Sequence, residues 1–135
     1  MKHIKSYESI DSLQTWINEV MDTCKDIMLE LEDSGMKTDV KRSLYMKESN
    51  SVLVDCMMSY KSPFRWGRFG VIDIYDRLSD YMKSEGFEEI ERLTGDVGKF
   101  PFTDGGYQAK ISFKKSGLDS DYIGNLRYLK KYNME

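Results

Sequence analysis

The chain has 135 residues, of which 40% are apolar and 32% charged, and a formal net charge of −3. That length suffices for one hydrophobic core and falls short of two ordinary domains, and mixed charge without a long like-charge block excludes a disordered polyelectrolyte. The acidic excess argues against a dedicated nucleic-acid binder, in which phosphate neutralisation usually shows as a basic surplus.

Residues Met1 to Tyr7 carry Lys2 and Lys5 with no apolar run behind them, so no signal peptide is expected. No segment approaches the roughly 20 apolar residues of a membrane span. A cytoplasmic protein without membrane contact is therefore expected.

The segment from Asp11 to Gly35 reads as one long amphipathic helix. Asp11 and Gln14 have capping-box spacing, and Leu13, Trp16, Ile17, Val20, Met21, Cys24, Ile27, Met28 and Leu31 recur at steps of three and four before Gly35 ends the pattern. Glu19, Asp22, Asp26, Glu30 and Asp33 recur on another face, with Lys25 the one basic residue among them. The charge is unevenly distributed: residues 1–35 hold three Lys/Arg and eight Asp/Glu, whereas residues 36–135 hold seventeen and fifteen.

From Lys37 to Tyr60 the period becomes alternating. Val40, Leu44 and Met46, with Arg42 between them, and then Val52, Val54, Cys56 and Met58 each line one face of a strand, and Glu48 to Ser51 supply the turn of a hairpin. Cys24 and Cys56 fall on the apolar faces of a helix and a strand, where a buried thiol serves as a small hydrophobe.

The next stretch, Tyr60 to Gly70, holds Lys61, Phe64, Arg65, Trp66, Arg68 and Phe69 and no acid. Three readings compete for it: capping of the core between strand and helix, a protein interface rich in Trp, Tyr and Arg, and a stacking platform for single-stranded nucleic acid. Gly67, Arg68, Phe69 and Gly70 resemble the GxxG loop of KH domains, which there joins two helices, whereas a strand precedes it here. Tyr122 to Leu126 resembles a strand signature of RNA-recognition motifs, but no second signature follows it. Neither context is met, and no family is assigned.

A second helical stripe runs through Val71, Ile74, Tyr75, Leu78, Tyr81 and Met82, with Gly86 and Phe87 placed for a Schellman-type ending; its first residues fit a strand equally well. Phe87 to Thr94 reads as a strand, and Tyr107, Ala109, Ile111 and Phe113 alternate as another. The connection from Gly95 to Gly106 is long for a hairpin, with Lys99, Phe100 and Phe102 at its tip as a second candidate contact loop. Asp119 to Tyr132 has the acidic start and basic end of a short terminal helix.

The expected fold is thus α+β, a two-layer sandwich in which helices pack on an antiparallel sheet of about four strands, in the order α-ββ-α-ββ-α. A circularly permuted ferredoxin-like arrangement would have this order.

No catalytic constellation emerges, and neither a cofactor nor a metal is expected. His3 is the single histidine, which removes most triads with a histidine base. Asp73, Asp76 and Asp80 share a side of the second helix, where a solvated face is the simpler reading, and would bind a cation only if another element, such as the strand carrying Asp55, supplied a further acid. Asp39, Val40 and Lys41 have the acid-x-Lys spacing of metal-dependent nucleases without an evident partner acid. The leading expectation is a non-catalytic regulator or inhibitor of the phage or mobile-element type, binding another protein through the acidic helix or the aromatic loops. Single-stranded nucleic-acid binding through residues 60–70 is the alternative, and metal-dependent hydrolysis ranks third.

Overall fold

The computed structural model describes residues 10–45, 47–48, 50–60, 70–93, 100–101, 107–118 and 123. In chain order the elements are α1 (Ile10–Ile27), α2 (Leu29–Asp33), β1 (Lys37–Leu44), β2 (Val52–Tyr60), α3 (Val71–Ser84), β3 (Glu88–Arg92), β4 (Phe100–Pro101) and β5 (Tyr107–Lys115). The strands form an antiparallel sheet in the order β1-β2-β5-β3, and β4 pairs with β5 beyond the end of β3. This is the α+β sandwich expected from the sequence. Of the expected terminal helix only Ile123 is described, as a helical and buried residue; the rest of that segment and Met46 lie outside the described residues.

Register explains how alternation becomes a core. Val52, Val54, Cys56 and Met58 of β2 stand beside Lys115, Phe113, Ile111 and Ala109 of β5, and all of these except Lys115 are fully buried. Leu13, Ile17, Val20, Cys24, Met28 and Leu31 from the first helices, and Val71, Ile74, Tyr75, Leu78 and Met82 from α3, close over that face in one cluster. Each large apolar side chain removed from water here contributes about 1.5–3 kcal/mol. The helices run antiparallel: Trp16 near the start of α1 donates its indole N–H to Glu85 at the end of α3 (2.9 Å), while Glu30 of α2 reaches Arg77 midway along α3 (3.2 Å).

Three expectations need correction. The first helix is broken at Met28, because Leu31 N–H bonds the Met28 carbonyl three residues back (2.9 Å); the tightened turn lays α2 against β1, where the Thr38 hydroxyl donates to Glu32. Asp11 lies inside it and not at its start, since Ile10 is already helical. The 95–106 connection is interrupted by β4, so Phe100 is a sheet residue paired with Gln108 rather than part of a loop tip. Its neighbour Pro101 is tolerated in a strand that pairs on one side.

Both helical segments end alike. Gly35 N–H bonds Glu32 O and Met36 N–H bonds Leu31 O, while Gly86 N–H bonds Lys83 O and Phe87 N–H bonds Met82 O, which makes two Schellman motifs. Both glycines have positive φ, +96° and +89°, and both motifs bury their apolar flanking pair before a strand begins one residue later. The two halves of the chain thus share a helix, Schellman turn and hairpin without sharing residues. Gly86→Ala is expected to cost about 1–2 kcal/mol from backbone strain alone, read as a lower denaturant midpoint. A Cβ at Gly86 would also meet Lys115 Nζ at 2.6 Å, whereas one at Gly35 makes only a 3.6 Å contact with Tyr60. Gly35→Ala therefore isolates the backbone cost, and a larger loss at Gly86 measures what displacing Lys115 adds.

Candidate partner-binding surfaces

Every acid assigned to the stripe, Glu19, Asp22, Asp26, Glu30 and Asp33, is exposed, on the side of the first helices opposite the residues that enter the core. Adjacent α3 adds Asp73, Asp76 and Asp80, also exposed, to the same helical layer. The acidic surface is therefore two helices wide. The i, i+3, i+7 spacing of the second set is legible in the sequence, but that it extends the first set depends on α1 and α3 lying side by side.

Two arginines pair with acids of this surface. Arg77 bridges the helices, 3.2 Å from Glu30 and 3.6 Å from Asp73, and Arg92 of β3 reaches Asp76 at 3.0 Å. These pairs are largely exposed, so each contributes little to stability, and their effect is to offset charge locally. Among the described residues Glu19, Asp22, Asp26, Asp33 and Asp80 form no ion pair. These five carboxylates keep their charge without a directly paired cation among the described residues.

Beside it, β3 and α3 are joined by a partly buried cluster at the sheet edge. A bulge at Ile90 shifts the register between Glu89 and Glu91, so Glu89 and Arg92, three residues apart, both fall on the helix side of the sheet. Arg92 then makes two 2.9 Å bonds to Glu89 and lies 5.2 Å from the centre of the Tyr75 ring. Its guanidinium holds the Glu89 carboxyl below the usual range. This arrangement fixes an edge of the sheet and holds no reactive group.

The opposite sheet face carries mixed charge. Lys114 pairs with Glu48 (2.7 Å) and Glu88 (3.4 Å), Lys110 with Glu91 (3.6 Å), and the Ser112 hydroxyl donates to Asp55 (2.6 Å). Asp55 alternates with buried Val54 and Cys56, and therefore points away from the helical layer that carries Asp73, Asp76 and Asp80. The metal site sketched from the sequence is not assembled, and no group of three or more potential metal ligands occurs among the described residues. Asp39 and Lys41 stand on this mixed-charge face at the sheet edge, opposite Met57 and Asp55.

Cys24 and Cys56 are both fully buried and unbridged. Contact with the Cys24 thiol, followed by burial, pushes the Cys56 thiol well above its ordinary range, so it holds its proton. Lys61, Phe64, Arg65, Trp66, Arg68 and Phe69, like Lys99 and Phe102, lie outside the described residues; Gly70, at φ +75°, starts α3 by accepting a bond from Ile74 N–H (3.0 Å). No described helix is long and apolar enough to cross a membrane. Comparison with protein families, curated proteins and solved structures finds no match.

Proposed function

We propose that this chain is a small non-catalytic binding protein, a regulator or inhibitor of the phage or mobile-element type, whose working surface is the acidic layer of α1, α2 and α3. One observation carries the reading: Glu19, Asp22, Asp26 and Asp80 are exposed on two adjacent helices with no ion-pair partner among the described residues. Such a surface complements a basic patch on another protein, including one evolved to hold nucleic-acid phosphates. The fold suits a scaffold role because its hydrophobic faces are turned into one core and its charges remain outside. The element order and the strand order β1-β2-β5-β3 further support a circularly permuted ferredoxin-like arrangement.

The test is retention of a protein from nuclease-treated host lysate by the wild type and by Glu19→Lys/Asp22→Lys/Asp26→Lys, followed by affinity measurement on the purified partner. The triple variant is expected to bind roughly tenfold to a hundredfold more weakly, mostly through slower association that no longer depends on salt. Unchanged affinity would remove the helical layer from consideration. Recovery of nucleic acid alone would instead favour the 60–70 loop, and there Trp66→Ala should weaken binding to single strands.

A further inference from the structure

We propose that the free edge of β1 pairs with the same edge of a second copy of this chain, centred on Val40, to give a continuous sheet across a two-fold axis. The edge is eight residues long and free of bulges, and among the described residues nothing pairs with its outer side. The opposite edge is unsuited, because β3 has only five residues and a bulge, and β4 beyond it contains Pro101.

Two hydrogen bonds set the phase of the edge. Tyr45 N–H, just past the strand, bonds Ser51 O at 3.1 Å, so odd-numbered residues direct their peptide groups towards β2. Val40 N–H is instead capped by the Asp39 carboxylate at 2.9 Å, as an outward-facing group would be. Thr38, Val40 and Arg42 therefore present N–H and C=O groups outward, and these alternate groups are what another antiparallel strand needs.

Symmetry and charge select the register. Paired residues of an antiparallel sheet lie on one face, so the axis must pass through a residue rather than between two. Centring on Asp39 opposes two aspartates, centring on Lys41 opposes two lysines, and centring on Thr38 pairs Lys37 with Asp39 but leaves only residues 37–39 of the strand in register. Centring on Val40 places each Asp39 opposite the partner's Lys41 on the exposed face, and Thr38 opposite the partner's Arg42 on the other. Asp39 and Lys41 are exposed, and neither forms an ion pair among the described residues. On pairing, Asp39 exchanges the Val40 N–H for the partner's lysine, and the released N–H bonds the partner's Val40 carbonyl. The two cross-strand charge pairs are then of the kind that stabilises a sheet.

Sedimentation equilibrium over a concentration series tests this, with dissociation expected on the order of 10 μM for so small an interface. Asp39→Lys and Lys41→Asp should each weaken self-association about tenfold, because both convert opposite charges to like ones. An equimolar mixture of the two variants should associate as a heterodimer, and the double swap Asp39→Lys/Lys41→Asp should recover wild-type affinity. The heterotypic mixture guards against misfolding, since two damaged chains would not rescue each other. A wild type that remains monomeric at about 1 mM, or a dimer indifferent to both single changes, overturns the proposal. Reversal of Glu19, Asp22 and Asp26 should leave the dimer intact, which separates this edge from the helical surface.

Discussion

Phe113→Ala is expected to lower unfolding free energy by about 3–5 kcal/mol, a large share of the roughly 5–15 kcal/mol typical of a domain. Phe113 is fully buried near the end of β5, beside Val54 of β2 and Glu89 of β3, so a cavity there is walled by two strands and the helical layer. Strands held on both sides relax little, which keeps the cavity open and the cost high. Val40→Ala, on half-buried edge strand β1, should cost far less because its neighbours and solvent close the gap. Urea unfolding of both variants checks the contrast, and equal losses would mean that the β1 edge is as tightly packed as the centre.

That contrast also marks what the sequence could reveal. Alternation in Val52 to Met58 and in Ala109 to Phe113 identified the central strands, since a strand covered on one face and paired on both sides must bury every second residue. Helical spacing did the same for Ile17, Val20 and Cys24, and for Ile74, Leu78 and Met82. Gly35 and Gly86 were legible because only a residue that tolerates positive φ fits a Schellman turn.

What escaped detection depends on relations between segments. The break at Met28 rests on one hydrogen bond and leaves the apolar spacing intact on both sides of it. The bulge at Ile90 has no residue signature, yet it decides that Glu89 and Arg92 meet. The acids on α3 read locally as a solvated face, or as a metal candidate with Asp55, because nothing local reveals that α1 lies beside them or that Asp55 faces the other way. The working surface was visible as a stripe, and its width became visible only when the helices were placed.

Tyr75→Phe is expected to destabilise the fold by about 1–3 kcal/mol although it removes a single oxygen. Where β3 ends, Leu93 N–H still bonds Lys110 O at 2.9 Å, and the Tyr75 hydroxyl enters the gap before β4. It donates to Leu93 O at 2.9 Å and accepts from Lys110 N–H at 3.0 Å, so one hydroxyl bridges two backbone groups just past the end of β3. Phenylalanine fills the same volume and leaves both backbone groups unsatisfied at a partly buried edge, which is the costly way to lose a hydrogen bond. Hydrogen exchange at the Lys110 amide should accelerate more than exchange at Ile111, which remains in the ladder.

The alkaline limb provides a second, independent readout. Burial raises the Tyr75 pKa above its ordinary value of 10.0, outweighing the opposing effects of the Lys110 N–H and Arg92. The unfolded chain therefore loses that proton first, and stability that is complete below about pH 10 declines as pH rises through the ordinary tyrosine range and beyond. Tyr75→Phe should make this decline shallower while lowering stability at neutral pH, so the two stability curves converge as pH rises. Parallel curves would place the hydroxyl in water and remove its role at the strand gap; Tyr81, whose pKa is raised by burial, and Cys56, whose pKa is raised by contact with Cys24 and by burial, contribute to the slope that remains in the variant.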